Sequence, residues 1–135
     1  MSTGRPSWEE YALLLAETAK LRSEDIYLKV GACALRFDHS VAALGYNGAP
    51  PGIEIDWSDR DKRRVKVSHA ESNCLRYCKP GEIWLLASTL QPCCDCLKQI
   101  AMYGIKLVVY KEEYKRDEFS LDLAKEFGIN LVKIS

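Results

Sequence analysis

Two short motifs place metal-binding and acidic side chains at spacings that suit zinc chemistry. His69 and Glu71 stand two residues apart, and Cys93 and Cys96 lie further along the chain in a Pro-Cys-x-x-Cys segment. Histidine nitrogens and cysteine thiolates are ligands that zinc prefers, and three such ligands leave the fourth position open for water. Zinc lowers the pKa of that water towards neutrality, and a nearby carboxylate can carry its protons to a leaving group. The spacing therefore predicts an open zinc site formed by His69, Cys93 and Cys96, with Glu71 as the catalytic proton carrier.

Each motif also has a simpler interpretation when it is taken alone. Ser68 and Glu71 fit a capping box, in which Glu71 would only bond to the backbone at the start of a helix. A single Pro-Cys-x-x-Cys segment is also typical of redox sites and of one half of a closed zinc site. A non-catalytic module stabilised by zinc would need a fourth ligand such as Cys74 or Cys94, and would make Glu71 dispensable. The two motifs together, each at a predicted strand-to-helix junction, favour the open zinc site.

Composition places these motifs in an ordinary globular chain. The 135 residues include 19 Lys+Arg and 19 Asp+Glu, so the formal net charge is zero, and 47% of the residues are hydrophobic. This length fits one domain over residues 1–135. A neutral chain lacks the general basic charge of proteins that bind long nucleic acids. No apolar run approaches the roughly 18 residues of a membrane span and the first six residues are polar, so we expect a cytoplasmic protein.

The remaining cysteines and the second histidine are predicted to be structural or exposed. Six cysteines in an intracellular chain favour metal or thiol chemistry over disulfides. Cys33 lies in an apolar run, where a buried thiol is ordinary packing. Cys74 and Cys78 lie four residues apart on one face of a predicted helix, and core packing is favoured there over half of a second metal site. His39 is expected to be exposed in a turn.

Hydrophobic periodicity and turn residues divide the chain into alternating helices and strands. The predicted helices cover residues 7–23, 68–78, 93–103 and 117–127. The predicted strands cover residues 30–37, 40–46, 83–87, 105–110 and 130–134. Residues 54–67 show no period and are predicted to be a surface loop. The first helix should start with a capping box of Ser7 and Glu10, and its apolar face is assigned to Tyr11, Leu14, Leu15, Thr18, Ala19 and Arg22.

The connections between the strands predict the fold class. A very short connection between the first two strands predicts an antiparallel hairpin, whereas the last three strands are joined by crossovers long enough for parallel pairing. The economical arrangement is a three-layer α/β/α sandwich with a mixed five-stranded sheet. The order of the strands within the sheet is left open.

With these motifs the sequence resembles the zinc-dependent cytidine and deoxycytidylate deaminase superfamily, whose signature is His-x-Glu followed by Pro-Cys-x-x-Cys. Within that superfamily it is similar to the deoxycytidylate (dCMP) deaminases over nearly the whole chain. The segments that carry the similarity beyond the zinc motifs are Arg22-Ser23, Val30-Gly31-Ala32-Cys33, Gly45-Tyr46-Asn47-Gly48-Ala49-Pro50-Pro51-Gly52, Asn73, and Tyr110 with Tyr114. The Gly-Tyr-Asn-Gly-x-Pro-x-Gly segment is the more specific marker of this branch.

The resemblance implies an activity and a role for several residues. The implied fold is that of cytidine deaminase, and the implied reaction is hydrolysis of dCMP to dUMP and ammonia, which would supply dUMP for thymidylate synthesis. A water activated by Zn²⁺ would attack C4 of the cytosine, and Glu71 would carry protons to N3 and to the departing amine. Asn47 would contact the sugar and Tyr114 would pack beside the pyrimidine. Arg22 and Ser23 would hold the phosphate.

The resemblance also implies a homohexamer that is activated by dCTP and inhibited by dTTP, each bound with Mg²⁺. The effector site would include Gly48, Pro50, Gly52, Asn73 and Arg63. The sequence departs from the pattern of these relatives at two positions. Pro51 stands where relatives often have a basic residue, and Lys115, followed by Arg116, stands where relatives tend to have arginine.

Local charge bears on the choice among deaminases. Five basic residues and one acidic residue are concentrated before His69, namely Arg60, Lys62, Arg63, Arg64 and Lys66 with Asp61. Such a cluster suits a phosphate group, and it equally suits a solvated surface. The nearest rival function is a tRNA adenosine deaminase, which shares the zinc motif and the sandwich. Overall neutrality and the Gly-Tyr-Asn-Gly turn favour a small nucleotide over RNA.

Overall fold

The computed structural model describes residues 4–134, so the predicted domain limits at 1 and 135 lie outside the described residues. The elements are α1 (Trp8–Lys20), β1 (Gly31–Arg36), β2 (Val41–Tyr46), α2 (Arg60–Lys66), α3 (Ala70–Leu75), β3 (Ile83–Leu90), α4 (Cys94–Met102), β4 (Leu107–Glu112), α5 (Ser120–Glu126) and β5 (Asn130–Lys133). Among the helices of this range, none combines the length and the apolar character that crossing a membrane requires.

The five strands form one mixed sheet in the order β2-β1-β3-β4-β5. β1 pairs antiparallel with β2 and with β3, and β3, β4 and β5 pair in parallel. α1 packs on one face of this sheet, whereas α3, α4 and α5 contribute to the core on the other face. The hairpin, the parallel strands and the three-layer α/β/α sandwich are therefore confirmed.

α1 starts as predicted. The Ser7 hydroxyl accepts a hydrogen bond from the Glu10 N–H at 3.1 Å, and the Glu10 carboxylate accepts one from the Ser7 N–H at 2.9 Å. These two bonds satisfy N–H groups that have no partner within the helix. The predicted capping box is confirmed.

The buried face of α1 differs from the predicted one. Tyr11 and Leu14 are exposed, and the buried residues are Ala12, Leu13, Ala16 and Ala19. The reason is the close approach of α1 to β1, since a Cβ atom added to Gly31 would lie 1.9 Å from the Ala16 carbonyl oxygen. A seam of small residues lets the two backbones approach, and the larger side chains turn away from it.

α2 is a helix where the sequence predicted a loop. It begins after Asp59, whose carboxylate accepts a hydrogen bond from the Lys62 N–H at 3.1 Å. None of its residues is buried, so the segment carries no apolar period for sequence reasoning to detect. The predicted basic cluster therefore lies on a solvent-exposed helix.

The predicted burial is wrong for His39 and confirmed for the structural cysteines. His39 is half-buried, because its ring stacks on Trp8 at 4.5 Å and meets Trp84 edge-on at 4.9 Å between ring centroids. The predicted exposure of His39 is thus wrong. The three thiols that were predicted to lie in the core are buried, namely Cys33, Cys74 and Cys78.

Candidate active site

The two predicted motifs lie at the starts of α3 and α4. His69 is the N-cap of α3 and Cys93 is the N-cap of α4, and neither side chain makes a capping hydrogen bond. Ser68 is not the cap, because its backbone pairs with Gly48 through N–H···O bonds of 2.8 and 3.1 Å. The capping-box interpretation of Ser68 and Glu71 is therefore wrong. Both N-cap side chains are free for other chemistry.

The structure brings His69, Cys93 and Cys96 together. Their ligand atoms lie within 4.8 Å of one another. The His69 Nδ1 atom is 3.2 Å from the Cys96 sulfur and 3.6 Å from the Cys93 sulfur. A tetrahedral zinc ion at the usual distances of about 2.0 Å from nitrogen and 2.3 Å from sulfur sets the N···S separation at roughly 3.5 Å. The donor types and their separations fit zinc.

The electrostatics around the two thiols favour a thiolate. A hydrogen bond from the Cys96 thiol lowers the pKa of Cys93 to about 4, despite partial burial, and His69 assists. The same bond and burial raise the pKa of Cys96. The hydrogen bond to Cys93 also raises the pKa of His69. The N–H groups at the start of α4, which have no partner within the helix, add to the stabilisation of negative charge there.

Glu71 lies next to this cluster. Its side chain is 4% exposed, and it lines the same pocket as His69 and Cys93. Burial raises the pKa of its carboxyl group, while the His69 side chain opposes that shift. A carboxyl group with a raised pKa, beside a potential metal site, is suited to taking up and giving back a proton near neutral pH.

The pocket that contains Glu71, here the first pocket, has a volume of about 160 Å³. Its polar lining includes Asp25, Asn47, His69, Glu71, Gln91 and Tyr114, and its apolar lining includes Leu28, Val30 and Leu90. No lysine or arginine among the described residues lines it. The first pocket thus suits a small, largely uncharged ring, and a phosphate on the same ligand would have to lie at its mouth.

Asn47 lines the first pocket, but its amide is already fully bonded within the chain. Its Oδ1 atom accepts from the Val30 N–H at 2.8 Å and from the Ser23 hydroxyl at 2.8 Å. Its Nδ2 atom donates to the Leu28 carbonyl at 2.8 Å and to the Asp25 carboxylate at 3.2 Å. Since an amide has two donor hydrogens and two acceptor sites, a sugar contact through this side chain requires that a ligand replace one of these bonds.

Arg22 and Ser23, the predicted phosphate ligands, do not line the first pocket. The Ser23 side chain is 4% exposed, and its hydroxyl is shared between the Asn47 Oδ1 and the Asn47 carbonyl oxygen, at 2.8 and 2.9 Å. Arg22 is exposed and lines a different pocket. The structure therefore brings Asn47 and Tyr114 to the first pocket and leaves Arg22 and Ser23 outside it.

Two polar residues of the first pocket, Asp25 and Gln91, belong to none of the motifs found in the sequence. Asp25 is buried, and its carboxylate accepts from the Tyr27 and Leu28 N–H groups at 2.8 and 3.1 Å. Gln91 is also buried, and its amide accepts from the Tyr114 N–H at 3.3 Å and donates to the Ser120 hydroxyl at 2.6 Å. The position of Gln91 directly before the Pro-Cys-x-x-Cys segment is the only signal that pointed to it.

A second pocket, of about 500 Å³, lies along the last residues of β2 and the residues that follow them. Its lining includes Arg22, Glu24, Tyr46, Gly48, Asn73 and Arg76. Of the predicted effector residues, Gly48 and Asn73 line it, whereas Pro50, Gly52 and Arg63 do not. Asn73 donates to the Tyr46 carbonyl at 2.7 Å, so its amide also fixes the end of β2.

Arg63 lies away from the second pocket, among contacts that connect α2 to the loop before β1. Its guanidinium carbon stands 3.9 Å from the centre of the Tyr27 ring, and one of its nitrogens donates to the Trp57 carbonyl at 3.2 Å. The Tyr27 hydroxyl donates to the same carbonyl at 3.1 Å. These contacts explain why Arg63 does not join Gly48 and Asn73.

Similarity to known proteins agrees with this site. A family model for the cytidine and deoxycytidylate deaminase zinc-binding region matches residues 6–112. The deoxycytidylate deaminase of Mycobacterium phage D29 is 38% identical, and the alignment covers 81% of this chain and 98% of the phage protein. That of Saccharomyces cerevisiae is 33% identical over 97% of this chain, which spans 46% of the yeast protein.

A solved structure shows the same architecture. The dCMP deaminase of cyanophage S-TIM5, in complex with dCMP and dUMP, aligns with a TM-score of 0.84 and 30% sequence identity. The alignment covers 97% of this chain and 99% of the cyanophage chain. Since the matched family region contains both motifs of the first pocket, this chain belongs to the cytidine and deoxycytidylate deaminase family.

Proposed function

We propose that the protein catalyses the hydrolytic deamination of dCMP to dUMP and ammonia. The observation that carries this proposal is a buried glutamate in one small pocket with a His-Cys-Cys cluster of zinc-binding geometry. The names of the phage and yeast relatives, and the dCMP and dUMP in the cyanophage structure, support the choice of substrate. The dUMP produced would be available for thymidylate synthesis.

His69 Nδ1 and the sulfurs of Cys93 and Cys96 are the proposed zinc ligands. When bound, zinc supplies Lewis-acid activation of a water molecule for attack on C4 of the cytosine. The start of α4 positions both sulfurs on one turn of helix, and the start of α3 places the imidazole opposite them. α4 begins shortly after the end of β3, and the start of α3 is held by the backbone bridge between Ser68 and Gly48.

Glu71 is the proposed general base and general acid. Its carboxylate takes a proton from the attacking water and passes it to N3 as C4 becomes tetrahedral. It then takes the proton of the new C4 hydroxyl group and passes it to the amine as the C4–N4 bond breaks. The products are then dUMP and ammonia, and Glu71 is regenerated. Its raised pKa suits this exchange, because the group can hold a proton during the reaction without retaining it afterwards.

The remaining lining residues would hold the nucleotide. Tyr114 stands at the wall of the first pocket, where its ring can pack against the pyrimidine, and Asn47 stands where the sugar would enter. The phosphate would lie at the mouth, close to cations that are sequence neighbours of lining residues, namely Lys29, Lys66 and Lys115. The neutral overall charge does not favour the RNA substrate of a tRNA deaminase.

Glu71→Gln tests the catalytic assignment. We expect the variant to keep its zinc, because Glu71 is not a ligand, and to lose dCMP turnover by about 10²- to 10⁴-fold, because the proton carrier is gone. Zinc content by elemental analysis and dUMP formation are the measurements. Glu126→Gln is the matched control, because Glu126 is exposed at the end of α5. Near-normal turnover by Glu71→Gln would reject the assignment.

A second assay tests the substrate. Cytidine, dCMP, dCTP and an RNA hairpin are offered to the unmodified enzyme, and we expect dCMP to give the highest kcat/KM. Preferred turnover of the RNA hairpin would instead support a tRNA deaminase. Bound zinc with no turnover of any of the four would support a non-catalytic module.

The proposal also includes regulation of the enzyme by nucleotides. We propose that dCTP with Mg²⁺ activates the enzyme and dTTP with Mg²⁺ inhibits it, from the second pocket of a homohexamer. The guanidinium groups of Arg22 and Arg76 in that lining are suited to phosphate groups, which supports the placement. We expect dCTP to lower and dTTP to raise the dCMP concentration at half-saturation.

Arg76→Ala tests the placement of the effector. The variant should lose the response to both nucleotides and keep basal turnover, whereas the exposed Arg60→Ala control on α2 should keep the response. Light scattering measures whether the particle has the mass of six chains. Identical dCMP saturation curves with and without either nucleotide would reject regulation.

A further inference from the structure

Asp117 connects the helix that carries two proposed zinc ligands to the segment that carries Tyr114. Its carboxylate accepts a hydrogen bond from the Cys94 N–H at 2.7 Å and one from the Cys94 thiol at 3.1 Å. The same carboxylate accepts from the Phe119 N–H at 3.2 Å, and the Asp117 carbonyl accepts from the Ser120 hydroxyl at 3.2 Å. One half-buried side chain thus binds the start of α4 and the start of α5.

The start of α4 needs an acceptor from elsewhere in the chain. The first N–H groups of a helix have no partner within the helix, and the N-cap side chain usually accepts from one of them. Here the N-cap is Cys93, which makes no capping hydrogen bond and is proposed to bind zinc. The Asp117 carboxylate, 23 residues away, accepts from the Cys94 N–H, which is the first N–H of α4 and lies outside the usual reach of an N-cap side chain.

The segment between β4 and α5 is also fixed at a second point. The Tyr114 N–H donates to the Gln91 amide, whose Nε2 atom donates to the Ser120 hydroxyl. Gln91 and Cys94 flank the Pro92–Cys93 junction in the sequence. The two connections therefore hold Tyr114, a wall of the first pocket, in a fixed position relative to Cys93.

We infer that Asp117 is a positioning residue that holds the Cys93–Cys96 turn and the Tyr114 segment in one arrangement. It does not line the first pocket, and it is not one of the three clustered ligand residues. Its loss should loosen the turn, so that zinc leaves faster, and should displace Tyr114, so that dCMP binds more weakly. The effect on dCMP rests on the proposed function, whereas the effect on zinc release does not involve a substrate.

The test compares four variants for zinc release to a chromophoric chelator, for KM and kcat with dCMP, and for thermal unfolding. We expect Asp117→Ala to release zinc about tenfold faster or more, and to raise KM by a larger factor than it lowers kcat. Asp117→Asn should recover part of the loss, because its amide oxygen can still accept from the Cys94 N–H. Cys94→Ala should stay near the unmodified protein, because that N–H remains.

Asp122→Ala is the matched control, because it removes the same charge from an exposed position on α5. If Asp117→Ala releases zinc at the rate of Asp122→Ala, the inference is overturned. If Asp117→Ala does not fold, Asp117→Asn decides. Its amide keeps only one of the two oxygens that accept from Cys94, so a release rate equal to that of Asp122→Ala overturns the inference. If the unmodified protein does not turn over dCMP, the proposed function fails, while the comparison of release rates still decides the role of Asp117.

Discussion

At the scale of single residues, Asn47 illustrates how a pocket wall can be fixed by one side chain. The amide joins the end of β2 to the loop before β1, and its partners come from Ser23, Asp25, Leu28 and Val30. Removing it would leave the buried Val30 N–H without its acceptor. A buried polar group that loses its partner costs about 1–3 kcal/mol of the free energy of unfolding.

Asn47→Ala is therefore expected to lower the free energy of unfolding by about 1–3 kcal/mol, and to raise KM for dCMP, because the loop from Ser23 to Val30 loses its attachment. Urea denaturation and steady-state kinetics are the measurements. Asn130→Ala serves as the control, because Asn130 is exposed at the start of β5. Equal stability of the two variants would show that the Asn47 bonds contribute little.

Residue-level prediction succeeded where the spacing was local. Cys93 and Cys96 share one helical turn, so the sequence alone places their sulfurs together, and a motif then points to His69. Asp25 could not be found in this way, because its carboxylate faces its partners only after the chain has folded around Asn47. The location of Arg22 in the second pocket likewise depends on how the end of α1 is placed.

At the scale of elements, the presence of a helix was easier to predict than its buried face or its first residue. The capping box of Ser7 gave the beginning of α1, but the contact with Gly31 decided which side is buried. At α3 the local pattern indicated Ser68 as the cap, and the pairing of Ser68 with Gly48 moved the start to His69. In both cases a long-range backbone contact overrode a local signal.

Gly45→Ala tests such a contact between elements. A Cβ atom at Gly45 would lie 2.4 Å from the Cys74 nitrogen and 2.7 Å from the Ala70 carbonyl oxygen, both in α3. The helix would have to move away from β2, so we expect a loss of about 1–3 kcal/mol in the free energy of unfolding, together with weaker zinc binding because His69 starts that helix.

Gly48→Ala is the matched control for that substitution. The nearest atom to its added Cβ would be a Glu24 side-chain oxygen at 3.6 Å, an ordinary contact. Circular dichroism during thermal unfolding and a zinc competition titration measure the two effects. A Gly45→Ala variant as stable as Gly48→Ala would show that α3 can shift without cost.

At the scale of the whole molecule, the core consists of two apolar clusters, one on each face of the sheet. One apolar cluster lies between α1 and the sheet, and the other lies between the sheet and the helices α3, α4 and α5. Leu35 lies in the first of these clusters and Leu86 in the second, and both side chains are fully buried. The fold class was predictable because strand connections alone restrict the topology, whereas the pockets depend on loops.

Thiol labelling can separate the site from the core. Removal of zinc by a chelator should expose Cys93, which is half-buried at the first pocket, to an alkylating reagent while the protein stays folded. Cys33 should react only on global unfolding, because burial, with a smaller contribution from Cys78, raises the pKa of its thiol to about 12.

Mass spectrometry of the labelled protein shows which cysteine is alkylated first. Far-UV circular dichroism, recorded in parallel, shows whether the protein stays folded. Cys93→Ser identifies the early label, because that label should disappear in the variant. Labelling of Cys33 together with Cys93 on chelation would contradict the prediction, since it would mean that metal loss unfolds the sheet.

The end of β2 also limits how the sequence can change during evolution. Tyr46 and Gly48 line the second pocket, and Asn47 between them lines the first pocket. Among residues 44–49 only Asn47 lines the first pocket, so inserting or deleting one residue here would displace its side chain and shift both linings at once. In descendants of this sequence, substitutions in the segment can accumulate gradually, but a change of its length by one would alter both pockets in a single generation.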